Sequence, residues 1–207
     1  MSARIDPVGP ADEDSAITWL VGDDDEVIVI DPGTDAAPVL AAVGDRDIRA
    51  VVCTHGHPAH VAAAVAVAEH DEAPVAMHPA DRLPWREAYP DDDPDIDMEE
   101  GGLFEVAGVT LEVIHTPGHS KGSVSLYCED LGAVFTGDAL LADGPAPHDG
   151  EFPNFSGQLS AIGEDLLTLP GDTRVLPGHG AELTVQMAEK QFDSWVSAGP
   201  VLPGEDE

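Results

Sequence analysis

Thr54-His55-Gly56-His57-Pro58-Ala59-His60 places three histidines within six residues. The segment follows the apolar run Ala50 to Cys53, which reads as a short buried strand. It leads into Ala59 to His70, an alanine-rich stretch without Gly or Pro that predicts a helix. Histidines two apart at a strand exit point the same way, because side chains alternate with period two. Neutral imidazole is the commonest metal ligand. Three at this spacing read as a ligand set of the kind zinc recruits.

Three further segments repeat the arrangement. His115-Thr116-Pro117-Gly118-His119, Thr136-Gly137-Asp138 and Pro177-Gly178-His179-Gly180 each put a ligand-capable side chain at or just after a strand end, beside turn residues. Loops on a rigid scaffold are where sites are built. Ile17 to Leu20 and Val27 to Ile30 flank the turn Gly22-Asp23-Asp24-Asp25 and predict a hairpin. Strands are also expected at Val75 to Met77, Leu103 to Val106, Leu111 to Ile114, Val124 to Cys128, Ala133 to Phe135 and Arg174 to Leu176. Helices are expected at Ala37 to Val43, Leu159 to Leu169 and Glu182 to Val196, with a polar loop from Met77 through Glu100. Two comparable halves of this kind imply two packed sheets with helices outside, in one domain over residues 1–207.

The chain carries 41 acidic and 8 basic residues, a formal charge of −33. A field that negative repels phosphate backbones, so nucleic acid and anionic membrane are excluded as first partners and a small-molecule substrate is expected. The scarcity of lysine, with only Lys121 and Lys190, points to a surface adapted to molar salt, and hence to a cytoplasmic protein of a high-salt cytosol. No apolar run is long enough to cross a membrane. The N-terminal residues up to Ser15 hold no apolar segment of signal-peptide type. Cys53 and Cys128 lie in apolar runs and suggest neither a disulfide framework nor a cysteine metal site.

Taken together, THGHPAH, HTPGHSKGS, FTGDALL and LPGHG resemble, in order, the motifs of the metallo-β-lactamase-fold hydrolases, within them the glyoxalase II-like and persulfide dioxygenase-like branch. The resemblance implies an α+β fold, a four-layer αββα sandwich with metal at one edge of the sheets. Carried over by position, it implies His55, His57 and His119 as ligands of a first metal, Asp138 as a bridge, and His60 and His179 as holders of a second. Asp31 resembles the family's acidic residue that orients a ligand imidazole, an alternative to an Asp capping a tight turn. The chain departs from the pattern at Ala59, where the family has aspartate. One tightly held zinc is therefore expected, with the second site weak or absent.

The implied activity is hydrolysis of a thioester, other ester or lactone, with zinc making hydroxide available near neutrality. In this reading Asp138 orients the water, and His60 and His179 bind the oxyanion through N–H groups. A second reading places iron on His55, His119 and Asp138 as a two-histidine, one-carboxylate set, giving a persulfide dioxygenase-like oxidoreductase. A third is a degenerate member that binds metal without turnover. The stretch after His179 holds one basic residue, Lys190, and none lies between Lys121 and Arg174, so a clamp for a glutathione carboxylate is not expected. Asp143 to Phe155, holding Pro145, Pro147, His148 and Phe152, reads as a pocket-lining loop, with His148 either a substrate contact or an ordinary solvent-exposed loop histidine. His70 and His78 read as surface, His115 as a packing or supporting residue, and Cys53 as a small buried hydrophobe. Lys121 and Tyr127 lie near His119 in sequence.

Overall fold

The computed structural model describes residues 2–10, 15–147 and 154–200. One sheet runs in chain order through β1 (Arg4–Val8), β2 (Thr18–Gly22), β3 (Glu26–Ile30), β4 (Asp47–Val52), β5 (Val75–Met77) and β6 (Ile96–Asp97). Its first two pairings are antiparallel and the others parallel. A second sheet holds β7 (Leu103–Val106), β8 (Val109–His115), β9 (Val124–Cys128), β10 (Ala133–Gly137), β11 (Arg174–Pro177) and β12 (Leu183–Thr184), with β10–β11 its parallel pair. The expected β2–β3 hairpin forms, and the Asp23 carboxylate closes it by accepting the Asp25 and Glu26 N–H groups.

Strand alternation builds three apolar layers. Trp19, Val21, Ile28, Ile30 and Val52 meet Leu111, Leu126, Phe135 and Leu176 between the sheets. Their neighbours along the strands, Leu20, Val27, Val29 and Val51, face outward. There they meet Val39 and Val43 of α1 (Ala36–Val43), Ala64 and Val67 of α3 (Ala64–Ala68) and Trp85 of α4 (Arg82–Ala88). On the far side Val134 and Val175 pack under the segment from α5 (Phe155–Ala161) to Leu166 and under α6 (Val185–Ala198). These strands are covered on both faces, which is why they read as continuous apolar runs. The result is helices, sheet, sheet, helices. Trp19 and Phe135 meet edge-on at 6.0 Å between the sheets, and the Trp19 indole N–H donates to the Pro177 carbonyl at 3.1 Å, beside the His179 loop. Burying a ring of the size of Phe135 contributes roughly 2–3 kcal/mol.

Several expected elements differ. The helix expected over Ala59 to His70 is two pieces, α2 (Pro58–Val61) and α3, separated at Ala62 and Ala63. The Tyr89 hydroxyl fills the break: it donates toward the Val61 and Ala62 carbonyls and accepts the Val65 N–H. The loop expected up to Glu100 contains α4 and β6; Trp85 anchors α4 in the core, a tertiary contact that overrides a polar local sequence. β1 was not expected, since Arg4–Val8 includes Pro7 and no apolar run, yet an edge strand tolerates proline. The helix expected from Leu159 begins at Phe155, where the Asn154 side chain accepts the Gly157 N–H, and continues as a wider turn over Ile162–Leu166. The helix expected from Glu182 starts after β12, at Val185, under a Thr184 cap.

Candidate metal centre

The sheets deliver the candidate side chains to one edge. Asp31 follows β3, His55 and His57 follow β4, His60 lies in α2, His119 follows β8, Asp138 follows β10, and His179 follows β11. Pro58 occupies the first turn of α2, where its missing N–H costs nothing.

Asp31 sets the protonation of this edge. It sits at a left-handed φ of 50° and is buried. Its carboxylate accepts the Thr54 N–H and hydroxyl, each at 2.7 Å, and His60 Nδ1–H at 2.9 Å. With its proton given to Asp31, the Thr54 oxygen is an acceptor for His55 Nδ1–H at 3.1 Å. That tautomer leaves His55 Nε2 with a lone pair, fully buried and without a hydrogen-bond partner among the described residues. Burial, together with the nearby His60 and His119, holds His55 well below the usual imidazole range, so it is neutral. Asp31 thus both occupies a strained turn and orients two imidazoles.

On the opposite side His119 donates Nδ1–H to the Ala146 carbonyl at 3.2 Å, which turns Nε2 into an acceptor facing His57 Nδ1 at 3.1 Å. His55, His57 and His119 therefore converge, with one donor atom from each within 4.8 Å of the others. An orphaned buried lone pair beside two facing ring nitrogens fits a cation better than any set of hydrogen bonds. A second group, His55, His60 and Asp138, meets the same limit and shares His55 with the first.

His60 lies between two carboxylates: besides Asp31, it donates Nε2–H to Asp138 Oδ2 at 3.3 Å. Burial alone pushes the imidazole down, but Asp138 and Asp31 outweigh it and raise His60 to about 10. Asp138, though penalised by burial, is held well below the usual carboxylate range by His60 and by its hydrogen bonds from His179 and His60. His179 is half-buried and donates Nδ1–H to Asp138 Oδ1 at 2.8 Å. It joins the edge through Asp138, outside both three-residue groups.

A groove of about 340 Å³ opens on His57, His60, His119 and Asp138, and Pro58, Ala59, Glu87 and Pro147 complete its lining. No Lys or Arg is among them. Pro145 lies with Trp195 in a neighbouring pocket, whereas His148 and Phe152 lie outside the described residues. Tyr127 packs on the outer layer, away from this edge. His115 stacks on His78 at 4.5 Å and 9°, so His78 is half-buried in a ring contact and not simply on the surface. Cys53 is buried in the helix–sheet layer, where burial pushes its thiol up, as suits a small hydrophobe.

Sequence reasoning missed Gln158. Its buried amide donates to the Asp138, Ala139 and Ala146 carbonyls, so it ties the Asp138 loop to the carbonyl that orients His119. It stands in α5, away from every motif, and nothing local marks it. Thr54 stands in the histidine motif, but its hydroxyl relay to His55 exists only once β3 and β4 are paired, so the sequence does not reveal it.

The chain matches the family model described as metallo-beta-lactamase superfamily over residues 11–179. It is 31% identical to the probable metallo-hydrolase YqgX of Bacillus subtilis, over 92% of this chain and 96% of that one. It is 26% identical to the hydroxyacylglutathione hydrolase GloC of Haemophilus influenzae, over 89% and 93%. The structure of TTHA1623 in a di-iron-bound form superposes with a TM-score of 0.76 at 28% identity, covering 88% of this chain and 96% of that one. Two helix-covered mixed sheets, a histidine–aspartate edge fit to hold metal and a family match spanning most of the sequence agree: the chain belongs to the metallo-beta-lactamase superfamily.

Proposed function

We propose that the chain is a metal-dependent hydrolase of thioester, other ester or lactone bonds. A hydrolase in the general sense is what the family and the names of its relatives support. The observation that carries the reading is the convergence of His55, His57 and His119, with His57 Nδ1 3.1 Å from His119 Nε2 and Asp138 Oδ2 3.7 Å from the latter. These three histidines would hold the metal. When bound, it would polarise a carbonyl and make water ionisable near neutrality.

The remaining work falls to the chain. Asp138 stands beside the three nitrogens and orients an attacking water by accepting its hydrogen. Because His179 gives Nδ1–H to Asp138, its Nε2 carries a lone pair and suits a proton acceptor. His60 has both nitrogens committed to carboxylates, so it acts through its positive charge, which favours negative charge developing on a substrate oxygen. This replaces the expected N–H donation by His60 and His179 to the oxyanion. One metal is proposed rather than two, because both candidate groups draw on His55 and Ala59 offers no ligand atom. The absence of Lys and Arg from the groove favours a substrate without a carboxylate near the reacting bond.

Iron bound in the TTHA1623 structure supports iron as a candidate metal, and with it a second reading: an iron-dependent oxidoreductase on His55, His119 and Asp138. Metal analysis of protein purified in high salt without added metal separates the two. About one zinc per chain and hydrolysis of thioester or lactone panels support the hydrolase. Iron, with oxygen consumption on persulfides, supports the alternative. Metal binding without turnover of either class overturns both.

A further inference from the structure

Asp81 belongs to none of the histidine motifs, yet it is 1% exposed and lies against the metal edge. It closes the turn Pro79–Asp81 that leads into α4. Its two carboxylate oxygens take three donors. Oδ2 accepts the Gly56 N–H at 3.0 Å and the Ser120 hydroxyl at 2.6 Å; Oδ1 accepts the Gly122 N–H at 2.6 Å. Gly56 stands between His55 and His57, and Ser120 follows His119. One carboxylate therefore ties together the two loops that carry all three converging nitrogens.

The approach is too close for side chains on those loops. A Cβ on Gly122 would lie 2.8 Å from the Asp81 carboxylate, and one on Gly56 would lie 2.6 Å from the Asp81 carbonyl oxygen. Both loops rest on Asp81 through bare backbone. We infer that Asp81 is a positioning residue for the metal centre: it fixes the spacing between the His55–His57 loop and His119, and through that spacing the affinity for metal. The inference rests on the metal site proposed above. Outer groups that hold ligands in place are worth about 10- to 100-fold in metal affinity.

Asparagine at position 81 keeps the shape but offers one acceptor oxygen. Its NH₂ must then face the N–H of Gly56 or of Gly122, donor against donor. The test uses Co²⁺ as probe, measuring its dissociation constant by chelator competition and its visible bands in the wild type, in Asp81→Asn and in Ser120→Ala. Asp81→Asn is expected to weaken Co²⁺ about 10- to 100-fold and to alter the bands. Ser120→Ala, which removes one donor of three, is expected to weaken it about fivefold. Hydrogen exchange on the metal-free proteins is expected to speed at Gly56 and Gly122 while α6 keeps its protection.

A folded Asp81→Asn with affinity within about twofold of wild type and unchanged bands overturns the inference. Should Asp81→Asn not fold, Ser120→Ala decides, and wild-type affinity and bands in that variant overturn it. A wild-type chain that takes up Co²⁺ yet hydrolyses no thioester, ester or lactone sinks the functional proposal, while the same titrations still decide the role of Asp81. A wild-type chain that takes up no Co²⁺ overturns both.

Discussion

His119 Nε2 lies 3.1 Å from His57 Nδ1. Two ring N–H groups cannot point at each other, so the two nitrogens share one proton or face one cation. His119 has already committed its Nδ1–H to Ala146, which puts the shared proton on His57 in the metal-free chain. Uptake of a metal at His57 Nδ1 moves that proton to Nε2 of the same ring, so the neutral imidazole changes tautomer without net proton release. Nitrogen NMR of histidine-labelled protein is expected to show His57 switching from the Nδ1–H to the Nε2–H form when Zn²⁺ is added, while His119 keeps Nδ1–H. A His57 already in the Nε2–H form before metal is added would contradict this tautomer assignment.

Ala59 stands in the groove beside His60 and Asp138. Ala59→Asp supplies a carboxylate that offsets the charge of a second cation and competes with Asp138 for His60. Metal content in excess zinc is expected to rise from about one to about two per chain. An unchanged stoichiometry removes Ala59 as the reason for a single site.

The metal-free chain is expected to be least stable at both ends of the pH range. His60 is raised to about 10, so its contribution is complete below its ordinary 6.5 and is lost as pH rises toward 10. His55 is held well below 6.5, so its contribution is present above 6.5 and is lost as pH falls. Thermal melting from pH 5 to 10 therefore peaks near neutrality. Asp31→Asn breaks the buried pair with His60 and the Thr54 relay, and is expected to cost about 3–5 kcal/mol. The alkaline limb of the melting profile then flattens; a limb as steep as in the wild type would show that His60 is not its source.

Salt is expected to stabilise the fold. Every arginine already faces a carboxylate, as in Arg4–Asp24, Arg46–Asp6, Arg49–Glu26, Arg82–Asp97, Arg86–Asp93 and Arg174–Glu182, which leaves most of the 41 acids to repel one another. Raising KCl from 0.1 to 3 M shortens the screening length from about 10 Å to below about 3 Å. The melting temperature is expected to rise by about 5–10 °C, equivalent to about 2–3 kcal/mol. A flat or falling profile would separate the acidic composition from salt adaptation.

The sequence by itself determined the central strands and the histidine edge, though not the edge strands β1, β6 and β12. Val27–Ile30 and Ala133–Phe135 are apolar without interruption because both faces of those strands are covered, and that pattern is local. The turn residues around His55, His119, Asp138 and His179 are likewise local, so the candidate ligands were legible as a set. What only the tertiary structure decided is how those ligands are held. Tyr89 breaks the helix after His60 by hydrogen bonds that cross 24 to 28 residues. Asp31 reaches His60 over 29 residues and Asp81 reaches Gly122 over 41. Asp31 is marked in the sequence only by its resemblance to the family's imidazole-orienting acid, and Asp81, in a chain this acidic, carries no mark at all. Only folding removes Asp31 and Asp81 from water, and a carboxylate out of water must take every donor the neighbouring loops present.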